Sequence, residues 1–170
     1  MLTKRQFLLS GSSALGLAAL GGAFALLRMS DEAAAESFEI AKSKEEWRKI
    51  LTPAQYGVLR DHGIERAFSS PLDTEKRAGL FHCAGCDLPV YSSATKFDSG
   101  TGWPSFYQAL DNAVGTSTDT KFFMTRTEVH CRRCGGHLGH IFDDGPPPTG
   151  KRHCINGVAM TFHPGATQSS

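Results

Sequence analysis

The chain has 170 residues, which is enough for one domain of ordinary size with appended segments and excludes two large domains. Its 18 basic and 17 acidic residues give a net charge of +1, which gives no sign of a nucleic-acid-binding surface. With 40% hydrophobic and 21% charged residues, the composition is that of a folded chain rather than a disordered one. Five cysteines divide into two Cys-x-x-Cys pairs and one remainder, which suggests two separate uses of the thiols.

Residues 1–35 have the features of an export signal. Lys4 and Arg5 precede an uncharged run, Phe7–Leu27, and three alanines at 33–35 offer a small-residue cleavage site. Residues 3–8 resemble a twin-arginine export motif in which Lys4 replaces the first arginine. The apolar run is also just long enough to cross a ~30 Å hydrocarbon core, so a retained membrane anchor stays an alternative. We therefore expect export to the bacterial periplasm or membrane anchoring.

Two helix-start signals follow. Ser43 and Glu46 have the spacing of a capping box, and Thr52-Pro53 repeats the signal with proline at the first helical position. The second helix is expected to continue until Gly63. Two short helices should therefore precede the main body of the domain.

The rest of the chain favours strands. Short segments rich in aromatic and β-branched residues are bounded by Gly, Pro, Asp or Ser, which predicts a mainly antiparallel β domain. The predicted strands cover 80–82, 88–91, 121–129 and 158–162. The expected organisation is a linker at 36–42, the domain at 43–163 and a flexible tail at 164–170.

The paired cysteines predict a metal site. Cys83 and Cys86, like Cys131 and Cys134, are separated by two residues, the spacing at which a turn presents both sulfurs to one tetrahedral ion. The 44 residues between the pairs must then form a body of structure closed at its base. Four thiolates leave no open position on zinc, so we expect one structural ion. Two disulfides are the alternative that an oxidising compartment permits.

Cys154 is the candidate nucleophile. Lys151 and Arg152 precede it closely and would favour the thiolate over the thiol. A lone cysteine can equally be a packed side chain of the core.

Two further segments offer groups that suit such a nucleophile. His137 and His140 are three residues apart among small residues, and a glycine-rich loop presents the indole of Trp103. Each also has a structural interpretation, as a hydrogen-bonded histidine or a core aromatic residue. Together they predict a thiol, proton donors and an aromatic wall.

The ordered motifs resemble methionine-R-sulfoxide reductases of the B type. The resemblance covers residues 43–162 and rests on motifs that match in order and spacing: CAGC at 83–86, KFDSGTGWPSF at 96–106, EVHCRRCGGHLGHIFDDGP at 128–146 and PTGKRHCIN at 148–156.

The resemblance implies two antiparallel sheets, a structural zinc on the four paired cysteines, and reduction of the R epimer of methionine sulfoxide in proteins. Cys154 would be the nucleophile, with Arg152 supporting its thiolate. The substrate would be surrounded by side chains of two kinds: Trp103 and Phe106 against its apolar part, and His137, His140 and Asn156 around the sulfoxide oxygen.

Two positions depart from the family. Many members have a second, resolving cysteine where this chain has Thr101, so a sulfenic acid on Cys154 would need an external reductant, either a thioredoxin-like protein or a small thiol. His153 replaces an aromatic residue that commonly precedes the nucleophile, and its role stays open.

The main rival interpretation is a zinc-ribbon binding module. Basic residues beside the cysteines would then contact an acidic partner: Arg132, Arg133, Lys151 and Arg152. This interpretation leaves Cys154, the two histidines and Trp103 without a role. The near-neutral charge and the lack of heptads predict a monomer.

Overall fold

The structure is a computed structural model, and it describes residues 37–120 and 124–165. Within these ranges the chain forms two short helices followed by nine strands. The helices are α1 (Lys44–Ile50) and α2 (Pro53–Leu59). The strands are β1 (Gly79–Cys83), β2 (Pro89–Ser92), β3 (Lys96–Phe97), β4 (Ser105–Phe106), β5 (Val114–Asp119), β6 (Arg126–Cys131), β7 (His137–Phe142), β8 (Arg152–Ile155) and β9 (Met160–Pro164).

The strands form two antiparallel sheets, as expected. The smaller sheet has the order β2-β1-β9, and the larger one has the order β3-β4-β8-β7-β6-β5. Strand β8 lies between β4 and β7, and its register places Cys154 opposite Ser105 on one side and His140 on the other. Directly opposite residues share a face of the sheet, so the thiol and the imidazole are neighbours.

Both helices begin at the predicted capping boxes. The Ser43 hydroxyl accepts from the Glu46 amide at 3.2 Å, and the Glu46 carboxylate accepts from the Ser43 amide at 2.8 Å. Helix α2 ends at Leu59, before the predicted stop at Gly63. The reversal falls on His62, whose φ is 56°, and the Gly63 amide then donates to the Gly57 carbonyl at 2.8 Å.

Aromatic rings fill the space between the two sheets. Phe106 is fully buried on β4, with its ring centroid 5.0 Å from that of Phe81 and 4.4 Å from that of Tyr91. Phe81 and Tyr91 belong to the smaller sheet, so this cluster joins the sheets face to face. Burying each aromatic side chain contributes roughly 1.5–3 kcal/mol.

Residues 37–42, expected to be a linker, instead pack on the second cysteine pair. The Ile40 amide donates to the Arg133 carbonyl at 3.0 Å, and the Phe38 ring lies against Gly135, where an added Cβ would be 2.3 Å from a ring carbon. Glu39 also pairs with Arg132 at 2.7 Å. Two apolar side chains thus give this segment a fixed place.

The two ends of the chain fall partly outside the described residues. The predicted export signal at 1–35 lies there, as do residues 121–123 of a predicted strand and 166–170 of the predicted tail. Pro164 ends β9, and the Gly165 amide donates to the Ala78 carbonyl at 3.0 Å, so the start of that tail continues the sheet. No helix in the described ranges is long and apolar enough to span a membrane.

Candidate active site and metal centre

The four paired cysteines meet at one end of the domain. Their sulfurs all lie within 4.8 Å of one another, with Cys83 and Cys134 at 3.7 Å and Cys86 and Cys131 at 3.5 Å. A zinc ion with Zn–S bonds of ~2.3 Å in tetrahedral geometry separates its sulfurs by ~3.8 Å, so the donor set fits zinc. A disulfide requires about 2.05 Å, which no pair approaches.

Each cysteine pair sits in the same kind of turn. The Asp87 amide donates to the Cys83 carbonyl and the Gly135 amide to the Cys131 carbonyl, both at 2.8 Å. The donor residue has a positive φ in both turns, 58° at Asp87 and 64° at Gly135. The chain between the two pairs is thus closed at its base, as predicted, and because Cys83 ends β1 and Cys131 ends β6, the cysteine cluster also joins the two sheets.

A separate small pocket contains the fifth cysteine. Its volume is about 160 Å³, and Cys154 and Trp103 both line it. The thiol is partly exposed, so a ligand in the pocket can reach it. The remaining lining residues are Ile64, Arg126, Gly139, His140, Phe142 and Asn156.

Opposing influences act on the pKa of Cys154. Burial raises the pKa of the thiol, while the Arg152 charge and a hydrogen bond with Thr101 lower it, and burial prevails. The Arg152 charge therefore favours the thiolate, as expected, but its effect on the pKa is smaller than that of burial. In the free protein the thiol form is favoured at neutral pH, and ionisation requires a proton acceptor.

His140 lies opposite Cys154 in the sheet register and lines the same pocket. Its Nε2 lies 2.8 Å from Asp119 Oδ2, which also accepts from Arg126 at 2.7 Å. Burial lowers the pKa of His140, the hydrogen bond with Asp119 opposes that effect, and the Arg126 charge adds to it. The neutral imidazole that results donates Nε2–H to Asp119 and leaves Nδ1 as an acceptor.

His137 lies behind His140 rather than in the pocket wall. It is buried, with its ring centroid 5.3 Å from that of His140, and its Nδ1 lies 2.8 Å from Glu128 Oε1. Burial raises the pKa of Glu128, but hydrogen bonds from His130, His137 and His62 outweigh it and hold that pKa well below the usual range. Glu128 is therefore a buried anion that fixes the His137 ring.

Asn156 and Arg152 are held on opposite flanks of Cys154. The Asn156 side chain donates to the Leu138 carbonyl at 3.0 Å and accepts from the Glu65 amide at 2.9 Å, which leaves one amide hydrogen for a ligand. Arg152 makes a two-point pair with Asp144, both bonds 2.9 Å long, and its guanidinium lies 4.6 Å from the Phe142 ring centroid. The structure thus brings Arg152 beside the thiol without placing it in the pocket wall.

Two residues occupy places that sequence reasoning did not anticipate. Phe106 was expected at the substrate. It lies instead in the core between the sheets, because its side chain is on the face of the larger sheet that packs against the smaller one. His153 is also buried, and its Nδ1 lies 3.0 Å from the Tyr91 hydroxyl. Its role is to link β8 to the smaller sheet.

The supporting carboxylates were missed by the sequence analysis. Asp119 and Glu128 orient the two histidines, and Glu65 contacts both Trp103 and Asn156. Only Glu128 carried a signal, as part of a quoted motif. The others are far from the site in sequence and have no diagnostic spacing.

Comparison with known proteins gives a consistent result. Residues 51–164 match the SelR domain family. The chain is 56% identical over 124 residues to a protein of Methanosarcina barkeri called "Peptide methionine sulfoxide reductase MsrB", covering 72% of this chain and 87% of that protein. Proteins with the same name from Pseudomonas putida and Agrobacterium fabrum are 55% and 51% identical over 127 residues, covering 74% of this chain and 96% and 94% of theirs.

The range that matches the family contains the four clustered cysteines, Trp103, both histidines and Cys154. The family match therefore covers the cysteine cluster and the pocket described above. The chain belongs to the SelR domain family, the B-type methionine sulfoxide reductases, and is an oxidoreductase acting on methionine sulfoxide.

Proposed function

We propose that Cys154 reduces the R epimer of methionine sulfoxide in proteins by direct attack on its sulfur. The observation that carries this proposal is the separation of the thiols: Cys154 opens into the pocket opposite Trp103, while the other four cysteines cluster elsewhere. A pocket of about 160 Å³ suits one methionine sulfoxide side chain and little more.

The reaction balances as a two-electron exchange. Attack of the Cys154 sulfur on the sulfoxide sulfur forms an S–S bond while the sulfoxide oxygen is protonated. That S–S bond and the S–O bond then break as the hydroxyl passes to the Cys154 sulfur, which becomes a sulfenic acid, and the thioether is released. The thiol sulfur is oxidised, the sulfoxide sulfur is reduced, and the thiol proton ends on the sulfenic oxygen. No other redox group is required.

His140 handles the proton in this scheme. Its Nδ1 accepts the Cys154 proton as the thiol becomes a nucleophile, and the imidazolium then donates to the sulfoxide oxygen, which makes the sulfur electrophilic. The Asp119 carboxylate keeps Nε2 protonated throughout, so the exchange occurs at the nitrogen opposite that bond. Asn156 donates its remaining amide hydrogen to the same oxygen.

Trp103 and Arg152 stabilise the charges that develop in the reaction. A sulfonium-like transition state beside the indole face gains cation–π stabilisation of about 0.5–2 kcal/mol. The Arg152 charge lowers the pKa of Cys154 and so favours the thiolate.

Recycling of the sulfenic acid requires an external thiol. Thr101 stands in the loop beside Cys154, where a resolving cysteine would otherwise lie, and the zinc cysteines form a separate cluster. We propose a thioredoxin-like protein or a small thiol as the reductant. One zinc ion on Cys83, Cys86, Cys131 and Cys134 supplies a structural cross-link in the monomer.

The test is turnover of R-methionine sulfoxide with dithiothreitol, compared with the S epimer. Cys154→Ser should lose at least 99% of the activity while keeping the zinc content of the wild-type protein. After oxidation by substrate without reductant, a sulfenic-acid trapping reagent should label Cys154. A disulfide between Cys154 and any other cysteine, or stereoselective turnover by Cys154→Ser, would contradict the proposal.

We also propose that the chain is exported through its first 35 residues, on the twin-arginine-like sequence at residues 3–8. N-terminal sequencing of the protein from a periplasmic fraction should find a start near Glu36. Retention of Met1 in a membrane fraction would indicate an anchor instead, and retention of Met1 in the cytosol would exclude both.

A further inference from the structure

Glu65 lies where two walls of the pocket meet. Trp103 comes from the loop before β4, and Asn156 follows β8, so the two side chains belong to different parts of the larger sheet. The Glu65 carbonyl accepts from the Trp103 indole N–H at 3.1 Å, and the Glu65 amide donates to the Asn156 side chain at 2.9 Å. One backbone unit therefore holds both walls.

The Glu65 carboxylate fixes the turn that follows the nucleophile. Its two oxygens accept from the amides of Gly157 at 2.6 Å and Val158 at 2.9 Å. These amides open the short 3₁₀ helix Gly157–Ala159, whose preceding residue, Asn156, makes no capping hydrogen bond with its own side chain. Glu65 supplies the missing cap from a distant part of the sequence, through hydrogen bonds assisted by its charge.

Because Glu65 caps the 3₁₀ helix, the Asn156 side chain does not have to, and it can line the pocket. A capping asparagine would turn its side-chain oxygen to the amides of the helix. Here that oxygen instead accepts from the Glu65 amide, and the side-chain nitrogen donates to the Leu138 carbonyl. The amide group is thus oriented by two bonds and lies in the lining of the pocket.

The neighbours of Glu65 continue the same wall. Ile64 lines the pocket, and the Phe68 amide donates to the Gly102 carbonyl at 2.7 Å, next to Trp103. The segment 64–68 therefore contacts the Trp103 loop at two points. The Glu65 carboxylate in this segment binds the amides that follow β8, so the segment ties the Trp103 loop to the strand that contains Cys154.

We propose that Glu65 is a positioning residue that sets the angle of the Trp103 indole and the Asn156 amide relative to Cys154. This inference rests on the proposed function and names the device that aligns its site. Glu65 does not touch the reacting atoms. Its backbone holds the two walls, and its carboxylate fixes that backbone against the turn after the nucleophile.

The experiment compares Glu65→Ala with Glu75→Ala in the full-length, zinc-loaded protein. Glu75 is a carboxylate of the same connecting segment, it pairs with Arg77, and it lies outside the pocket, so it controls for loss of a carboxylate in this region. For Glu65→Ala we expect at least a tenfold fall in kcat/KM for R-methionine sulfoxide, with KM raised, and a reduced preference for R over S. For Glu75→Ala we expect wild-type parameters.

Acrylamide quenching of tryptophan fluorescence provides a readout that does not depend on turnover. The chain has two tryptophans, and Trp47 is only 4% exposed, so quenching reports mainly on Trp103. Glu65→Ala should increase the quenching constant at least twofold, and Glu75→Ala should not. If the wild-type protein does not turn over, the proposed function fails, and quenching alone still decides whether Glu65 holds Trp103.

Unchanged kcat/KM, epimer preference and quenching in Glu65→Ala would overturn the inference, as would equal effects in Glu75→Ala. If Glu65→Ala does not fold, Glu65→Gln decides. Glutamine keeps one acceptor oxygen but places its NH₂ group against a backbone amide, so at least a threefold fall in kcat/KM is expected. Wild-type kinetics in Glu65→Gln would then overturn the inference.

Discussion

In the proposed reaction Cys154 and His140 act as an acid–base pair, and both groups are neutral in the free protein. Burial raises the pKa of the thiol and lowers the pKa of the imidazole, so both shifts act against the ion pair. The free protein therefore keeps the Cys154 thiol protonated, which slows oxidation of the sulfur, since the thiolate is the reactive form. In the proposed reaction a bound sulfoxide oxygen accepts the His140 proton, so the pair ionises only when substrate is present.

His153 is expected to make stability depend on pH. Burial lowers its pKa from 6.5 to about 4, and the Lys151 charge adds to the shift. The unfolded chain takes up this proton near pH 6.5 and the folded one only near pH 4, so stability is full above pH 6.5 and falls as the pH drops towards about 4. Between pH 7 and 5 the loss from this residue is about 2 kcal/mol.

His153→Phe removes the titrating group and keeps an aromatic ring. Urea unfolding at pH 7 and pH 5 should show a smaller loss of stability in the variant than in the wild-type protein. At pH 7 the variant should itself be about 1 kcal/mol less stable, because the Tyr91 hydroxyl loses its partner. Zinc thiolates are present in both proteins, so their protonation cancels in the comparison. Equal losses on acidification would contradict the assignment.

At the level of elements, the strand pair β7–β8 positions Cys154. Gly139 pairs with Ile155, and an added Cβ at Gly139 would lie 2.0 Å from the Cys154 carbonyl oxygen. The small residues between the two histidines therefore have a structural reason at Gly139, which is the close approach of β8.

Gly139→Ala should therefore displace β8 and with it Cys154. We expect at least a tenfold fall in kcat/KM and a loss of about 1–3 kcal/mol of stability, because overpacking forces the backbone apart. Zinc content should not change. Gly57→Ala is the matched control, since an added Cβ there meets nothing within 4 Å, and alanine in helix α2 should raise stability by roughly 0.5–1 kcal/mol. Wild-type activity in Gly139→Ala would contradict this account.

Local signals in the sequence predicted the elements better than the placement of side chains. The capping boxes at Ser43 and Thr52 and the Cys-x-x-Cys turns are encoded within four residues, and both formed as predicted. Phe106 stands within a motif, yet the face on which it lies is decided by the smaller sheet, which the motif does not contain. Asp119 and Glu65 reach the site only through tertiary packing, so no spacing could reveal them.

At the scale of the whole molecule, contacts of different kinds hold the two sheets together, including the hydrogen bond between His153 and Tyr91. The aromatic cluster around Phe106 joins their faces, and the four-cysteine site joins the ends of β1 and β6. The active site belongs almost wholly to the larger sheet, with Glu65 and Ile64 added from the segment before β1. The four-cysteine site is thus structurally separate from the pocket that contains Cys154.

Zinc removal should therefore abolish activity by unfolding rather than by loss of a catalytic group. A structural zinc contributes about 10–16 kcal/mol in small peptides, which equals or exceeds the usual 5–15 kcal/mol stability of a domain. Treatment with a strong chelator should remove one zinc ion per chain and the β-sheet circular dichroism together, and Cys83→Ser should fail to bind zinc or fold. Cys154→Ser is the control, since it should keep both metal and fold. A metal-free protein that retains native circular dichroism and thermal stability would show that side-chain contacts between the sheets hold them together without the metal, and the cysteine site would then need a role other than a cross-link.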